Sequence, residues 1–220
     1  MKKQFTTGLV LMVCVMLVAA VAHAATWQAG IKGGVAIQKL SGDDVNSDQV
    51  GNRTGFVGGA YVQSDLSRSF GVRLETLYFM KGASADSANV SVTVKLDYVE
   101  FPLLAVAHLP ISEKAHVDLF GGPTFAFNTS AKAEASFAGL SGSVDIGDGV
   151  KSFDFGLTFG AGLSVETGSA IIGIDGRYGF GLESLVDSDA LSDFGFSGDA
   201  DVKNKGFAIM ASVGMPVGKK

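Results

Sequence analysis

From Thr26 onward the chain alternates apolar and polar residues with a period of two, in eight segments separated by polar connections. That period is the signature of strands, because successive side chains along an extended backbone point to opposite faces. The clearest segment, 153–166, sets Phe153, Phe155, Leu157, Phe159, Leu163 and Val165 against Asp154, Thr158, Ser164 and Glu166. The first, 26–38, sets Trp27, Ala29, Ile31, Val35 and Ile37 against Gln28, Lys32 and Gln38. Segment 70–81 opposes Phe70, Val72, Leu74, Tyr78 and Met80 to Arg73, Glu75 and Lys81. Segments 55–64, 115–128, 169–181 and 206–217 follow the same rule. Segment 94–109 is apolar on both faces over much of its length; Val99, Phe101, Leu103 and Ala105 are assigned outward, Tyr98, Glu100 and His108 inward.

The connections alternate between long and polar (39–54, 82–93, 129–152, 183–205) and short (65–69, 110–114, 167–168). Long loops on one side and tight turns on the other are how outer-membrane barrels are built. The pattern therefore predicts an all-β fold, an eight-stranded antiparallel up-and-down transmembrane barrel with a polar, side-chain-filled interior. Segments of this length cover the 9–11 residues a tilted strand needs to cross a bilayer. Phe56, Tyr78, Phe127, Phe153, Tyr178 and Phe207 gather near the long-loop ends of the apolar face, as in an interfacial girdle. The opposite face carries Lys32, Arg73, Glu75, Glu100, Asp118, Asp154, Asp175 and Arg177, which an eight-stranded barrel would enclose as a paired polar network. Pairing Leu109 with Val117 and Val165 with Ala170 keeps outward faces together along both short hairpins. The first pairing brings Pro102 and Pro123 to nearly one height on adjacent strands, so their two missing donors would share one bulge.

Composition refines this picture in three places. Most of the thirty glycines fall inside apolar segments and only four prolines are present, as suits strongly curved strands. Acidic residues exceed basic ones by five, without basic clusters, which excludes nucleic acid as a partner. Lys2 and Lys3, an apolar run from Leu9 to Val21 and Ala22-His23-Ala24 read as a Sec signal peptide over residues 1–24, cut between Ala24 and Ala25. Residues 25–220 then form the barrel domain. The only cysteine, Cys14, would leave with the signal, so the exported chain has neither a disulfide nor a thiolate.

Few constellations offer chemistry. In the expected register His108 faces Asp118, with Ser112 in the turn between them. A Ser/His/Asp hydrolase would need that turn to supply an oxyanion hole, and none is visible. With His116 nearby a metal site is conceivable, but the pair reads as structural, and neither metal nor cofactor is expected. Glu183, Asp187, Asp189, Asp193, Asp199 and Asp201 make loop 183–205 acidic, yet their spacing does not match a calcium-binding loop.

Asp97-Tyr98-Val99-Glu100-Phe101-Pro102-Leu103-Leu104, followed by Phe120-Gly121-Gly122-Pro123, resembles the fourth and fifth strands of PorT-like outer-membrane β-barrel proteins. Gly30-Ile31-Lys32-Gly33-Gly34, the run from Glu75 to Gly82, Asp154-Phe155-Gly156-Leu157 and Asp175-Gly176-Arg177-Tyr178 are similar to other strands of that family. The resemblance implies an integral eight-stranded barrel of a Gram-negative outer membrane. The expected role is structural or surface-interacting, through the long loops, with no open pore and no enzymatic activity. Its partners would be outer-membrane lipid, the barrel-assembly machinery and an extracellular partner at the loops, and the barrel would be a monomer. A soluble periplasmic barrel binding a small apolar ligand is the alternative; an outer-membrane lipid- or peptide-modifying enzyme is the third reading.

Overall fold

The computed structural model describes residues 26–42, 51–87, 90–137, 140–186 and 201–217; residues 1–24, expected as a signal peptide, and the expected cut between Ala24 and Ala25 lie outside them. The strands are β1 (Thr26–Ser41), β2 (Gly51–Asp65), β3 (Phe70–Ser87), β4 (Val90–Pro110), β5 (Ala115–Phe137), β6 (Leu140–Asp145), β7 (Phe153–Thr167), β8 (Ala170–Gly181) and β9 (Lys203–Val217). All pairings are antiparallel between neighbours, and β1 with β9 and β4 with β5 close the ring. Eight strands form the barrel. The short β6 pairs with β5 alone, outside the ring.

The register sets the barrel's shape. Trp27 pairs with Ser64, and the path continues through Val72, Ala105, Gly121, Phe159, Tyr178 and Phe207. It returns to β1 at Ile37, ten residues above its start. Such a stagger tilts the strands by roughly 35–45° and leaves an interior just wide enough for side chains.

Every outward assignment made from the alternation holds within segments 26–38 to 206–217. Ile31, Val35, Phe56, Leu74, Leu119, Phe159, Ile174 and Ile209 are exposed, and Lys32, Tyr61, Glu75, Tyr98 and Arg177 are buried. On β4, β5 and β9 the apolar outward rows run from Val99 to Leu109, Val117 to Phe127 and Phe207 to Val217. Each matches the thickness of a bilayer's hydrocarbon core. The six aromatics of the expected girdle all face outward, and Phe127 stacks with its cross-strand partner Phe153 at 5.4 Å.

Several expectations need correction. The segments taken as loops 82–93 and 129–152 are largely strand: β3, β4 and β5 run on past the girdle, and β6 returns along β5. Val165 pairs with Ile172, not Ala170. The expected register puts Thr167 and Gly168 in the two-residue turn. The real hairpin spends Gly168 and Ser169 on it, with Gly168 at φ 64°, a conformation that favours glycine. The shift is two residues, so the faces are preserved.

Leu109 does pair with Val117, and Pro102 sits opposite Thr124, next to Pro123. The prolines do not share a bulge. The register is unchanged from Pro102–Thr124 to Ala105–Gly121, with a gap in the ladder beside Pro123; a second gap lies beside Pro102 on the β3–β4 seam. Each proline removes a donor from its own seam, and neither adds a residue. The bulge of this hairpin lies higher, where Asp97 pairs with Ser130 but Tyr98 with Asn128. Thr129 is the extra residue and its hydroxyl donates to the Asp97 carbonyl at 3.0 Å. It also reverses the faces above it, so that Ala131 turns inward.

The interior is mixed rather than uniformly polar. Ala36, Val57, Leu77, Phe79, Ala208 and Met210 form one enclosed apolar cluster, and Leu104, Val106 and Phe120 another. At the long-loop end Leu96, Tyr98, Ala126, Ala131 and Leu185 close over the lumen. Leu185 is pinned there by backbone bonds to Lys151 and Val202.

Candidate functional site

The strands carry the charged inward residues to three levels of the lumen. At the middle, Lys32 on β1, Glu75 on β3 and Asp175 and Arg177 on β8 meet across the barrel. The Lys32 ammonium donates to Glu75 at 2.8 Å and to Asp175 at 2.9 Å. The Arg177 guanidinium grips Glu75 with two nitrogens, at 2.6 and 3.1 Å, and reaches Asp175 at 3.0 Å. Two cations and two anions make the cluster neutral, and all four side chains are buried. Isolated charges at this depth would be costly; here each is matched and hydrogen-bonded.

The second level lies toward the short turns. Asp118 on β5 accepts from Arg73 at 3.2 Å and from the Ser164 hydroxyl at 3.1 Å through one oxygen. Its other oxygen faces His108 Nδ1 at 2.7 Å and His116 Nε2 at 3.3 Å. His108 Nε2 faces Asp65 at 3.2 Å, and Gln63 bonds both Arg73 and Asp65. The third level, below the long loops, holds Lys81 with Glu100 at 2.5 Å and Asn204 with Asp154 at 3.3 Å. Arg53 donates to the Lys81 carbonyl nearby.

The eight inward residues named from the sequence therefore lie inside the barrel, but in separate groups rather than one network. Glu75 and Asp175 join Lys32 and Arg177, Asp118 joins Arg73, and Glu100 and Asp154 stand apart. Gln63, Lys81, Asn204 and Asp65 are the partners that the sequence reading left out. The alternation already puts the first two on the inward face, and only their place in the network was missed. Asn204 and Asp65 lay in segments read as connections.

Phe120 links the middle group to the one toward the short turns. Its ring lies 5.6 Å from the Arg73 guanidinium and 5.2 Å from that of Arg177. The ring rests on Gly160, where a Cβ would stand 2.3 Å from the Gly176 carbonyl oxygen and 2.7 Å from Phe120 Cζ. Gly160→Val is expected to destabilise the barrel by roughly 1–3 kcal/mol through overpacking. Denaturant unfolding of the refolded protein checks this, and combining it with Phe120→Leu should recover part of the loss.

The Ser/His/Asp arrangement is not assembled. His108 uses both ring nitrogens on carboxylates, while the exposed Ser112 accepts from the Lys114 amide at 3.3 Å. Of the acidic loop, Asp187, Asp189, Asp193 and Asp199 lie outside the described residues; Asp201 pairs with Lys203 at 2.7 Å. Cavities between the charged levels are small, about 30 Å³ beside Lys81 and Glu100 and about 20 Å³ beside Arg73 and Asp118. No apolar ligand cavity of lipocalin type occurs among the described residues, because charged side chains occupy that space.

A closed eight-stranded barrel, apolar outside and filled with paired charges inside, is a transmembrane barrel of the outer-membrane type. The chain belongs to the outer membrane protein beta-barrel domain family, whose profile matches residues 20–187. It is similar to three solved outer-membrane proteins. Neisserial surface protein A is 14% identical, with 89% of this chain and 100% of that one covered and a TM-score of 0.48. OprG of Pseudomonas aeruginosa is 14% identical, covering 90% and 99%, with a TM-score of 0.48. Ail of Yersinia pestis is 17% identical, covering 86% and 98%, with a TM-score of 0.39. The search of curated proteins gave no match.

Proposed function

We propose that the protein is a monomeric, plugged outer-membrane barrel that serves as a structural or surface-interacting scaffold, without a pore and without enzymatic activity. The carrying observation is the neutral Lys32–Glu75–Asp175–Arg177 cluster, which spans the lumen and leaves only cavities of water size around it. A Sec signal over residues 1–24, cut before Ala25, delivers the chain to the periplasm. The barrel-assembly machinery then inserts it with the short turns on the periplasmic side and the long loops outside.

The strand extensions beyond the girdle support a surface role, since β4, β5 and β6 lift their connections well clear of the lipid. The ordered motifs from Gly30 to Tyr178 support placement among PorT-like barrels. Planar-bilayer recordings test the pore: the purified protein is expected to give no conductance steps, and a steady open channel would overturn the reading. Deleting the long connections one at a time, scored for binding to cells or matrix, tests the surface role. Binding unchanged by every deletion would remove it.

A further inference from the structure

We propose that the short-turn mouth of the barrel is a site for a divalent transition metal of the zinc class, bound by His108, His116 and Asp118. One ligand atom from each of the three lies within 4.8 Å of the other two, and Asp118 Oδ1 is 2.7 Å from His108 Nδ1 and 3.3 Å from His116 Nε2. The imidazole rings stand edge to face, 5.2 Å apart, around the same carboxylate oxygen. Two imidazoles and a carboxylate are a donor set that suits zinc, copper or nickel.

The surroundings are arranged as outer-shell partners. Metal-binding histidines commonly give their second nitrogen to a carboxylate, which fixes tautomer and ring orientation. His108 Nε2 meets Asp65 in this way at 3.2 Å, and Gln63 holds Asp65 at 2.7 Å. Arg73 and Ser164 occupy the other oxygen of Asp118, so the guanidinium charge is already matched and Oδ1 is turned to the histidines. His108 and His116 line a mouth cavity of about 650 Å³, together with Glu113 and Glu166, which leaves room for a fourth ligand. Three protein ligands with one open position is the pattern of zinc sites that take up a water or an exchangeable ligand.

Metal–ligand bonds of about 2.0–2.2 Å place neighbouring tetrahedral ligand atoms roughly 3.3 Å apart. The His116–Asp118 distance of 3.3 Å already suits this, and His108 has to open from 2.7 Å. The proton between His108 Nδ1 and Asp118 leaves to solvent as the metal takes its place, and Nε2–H remains on Asp65.

The test uses the signal-cleaved barrel refolded in detergent, produced without a polyhistidine tag. His108 and His116 are then its only histidines, because His23 leaves with the signal. Titration with Co²⁺ is expected to give visible d–d bands at one equivalent, displaced by Zn²⁺. His116→Ala, at a partly exposed position, should abolish the bands, and Asp65→Asn should weaken Zn²⁺ binding roughly 10–100-fold. Absence of the bands, or His116→Ala binding as well as the parent, would overturn the site. X-ray absorption of the zinc-loaded parent protein decides independently of any variant's folding. Scattering from two imidazoles supports the assignment, and its absence refutes it.

Discussion

Replacing Glu75 by glutamine is expected to lower the unfolding free energy of the lipid-refolded barrel by about 3–5 kcal/mol, among the largest effects of any single change. Glu75 is fully buried and bonds two cations at once, Lys32 at 2.8 Å and Arg177 at 2.6 Å. Glutamine keeps the shape, so the loss comes from charge alone: Asp175 would be left to neutralise both Lys32 and Arg177. Removing one partner of a buried ion cluster strands the other in a region that cannot solvate it. Lys32→Met on that background leaves the Asp175–Arg177 pair neutral and should recover most of the loss. Urea-induced unfolding in lipid vesicles measures both variants. A Glu75→Gln barrel as stable as the parent would show that the cluster is solvated and the lumen more open than its cavities indicate.

One residue earlier the rule inverts. Leu74→Arg is expected to cost about 2–4 kcal/mol, the penalty for arginine on the lipid face near the bilayer midplane. Leu74 is 50% exposed on β3, midway between Phe70 and Tyr78 on the outward row, and lies beside Val62 and Leu103. In a water-soluble barrel the same exposed leucine would take an arginine with little effect or some gain in solubility. The pair of variants therefore reads the barrel's inside-out character directly: an apolar position that must stay apolar although exposed, next to a charge that must stay charged although buried. Unfolding from lipid vesicles, with heat-modifiable migration as the check for folding, separates the outcomes. An unperturbed Leu74→Arg protein would argue against a lipid-facing surface.

Much of this was legible one residue at a time. Alternation is a local property of an extended backbone, so the outward row from Phe153 to Val165 and the inward placement of Glu75 or Arg177 follow from counting in twos. Local counting stops where the backbone gains a residue. At Thr129 the bulge reverses the faces, and the polar run that resembled a loop continues as β5 and pairs with β6. The Gly168–Ser169 turn shows the same limit, because alternation alone does not say which two residues make the turn, and placing Gly168 first in it, at φ 64°, moves the register by two.

The sequence by itself determined that eight strands alternate, which face of each is apolar, and which charges must be enclosed if the sheet closes. Only the tertiary structure decided how they meet. Lys32 is 43 residues from Glu75 and 143 from Asp175, and these contacts exist because the closed sheet returns to β1 ten residues higher than it began. That stagger is a sum over all eight seams, so no single segment encodes it. It sets the height of every inward side chain, brings Glu75 level with Arg177, and gathers His108, His116 and Asp118 at one mouth.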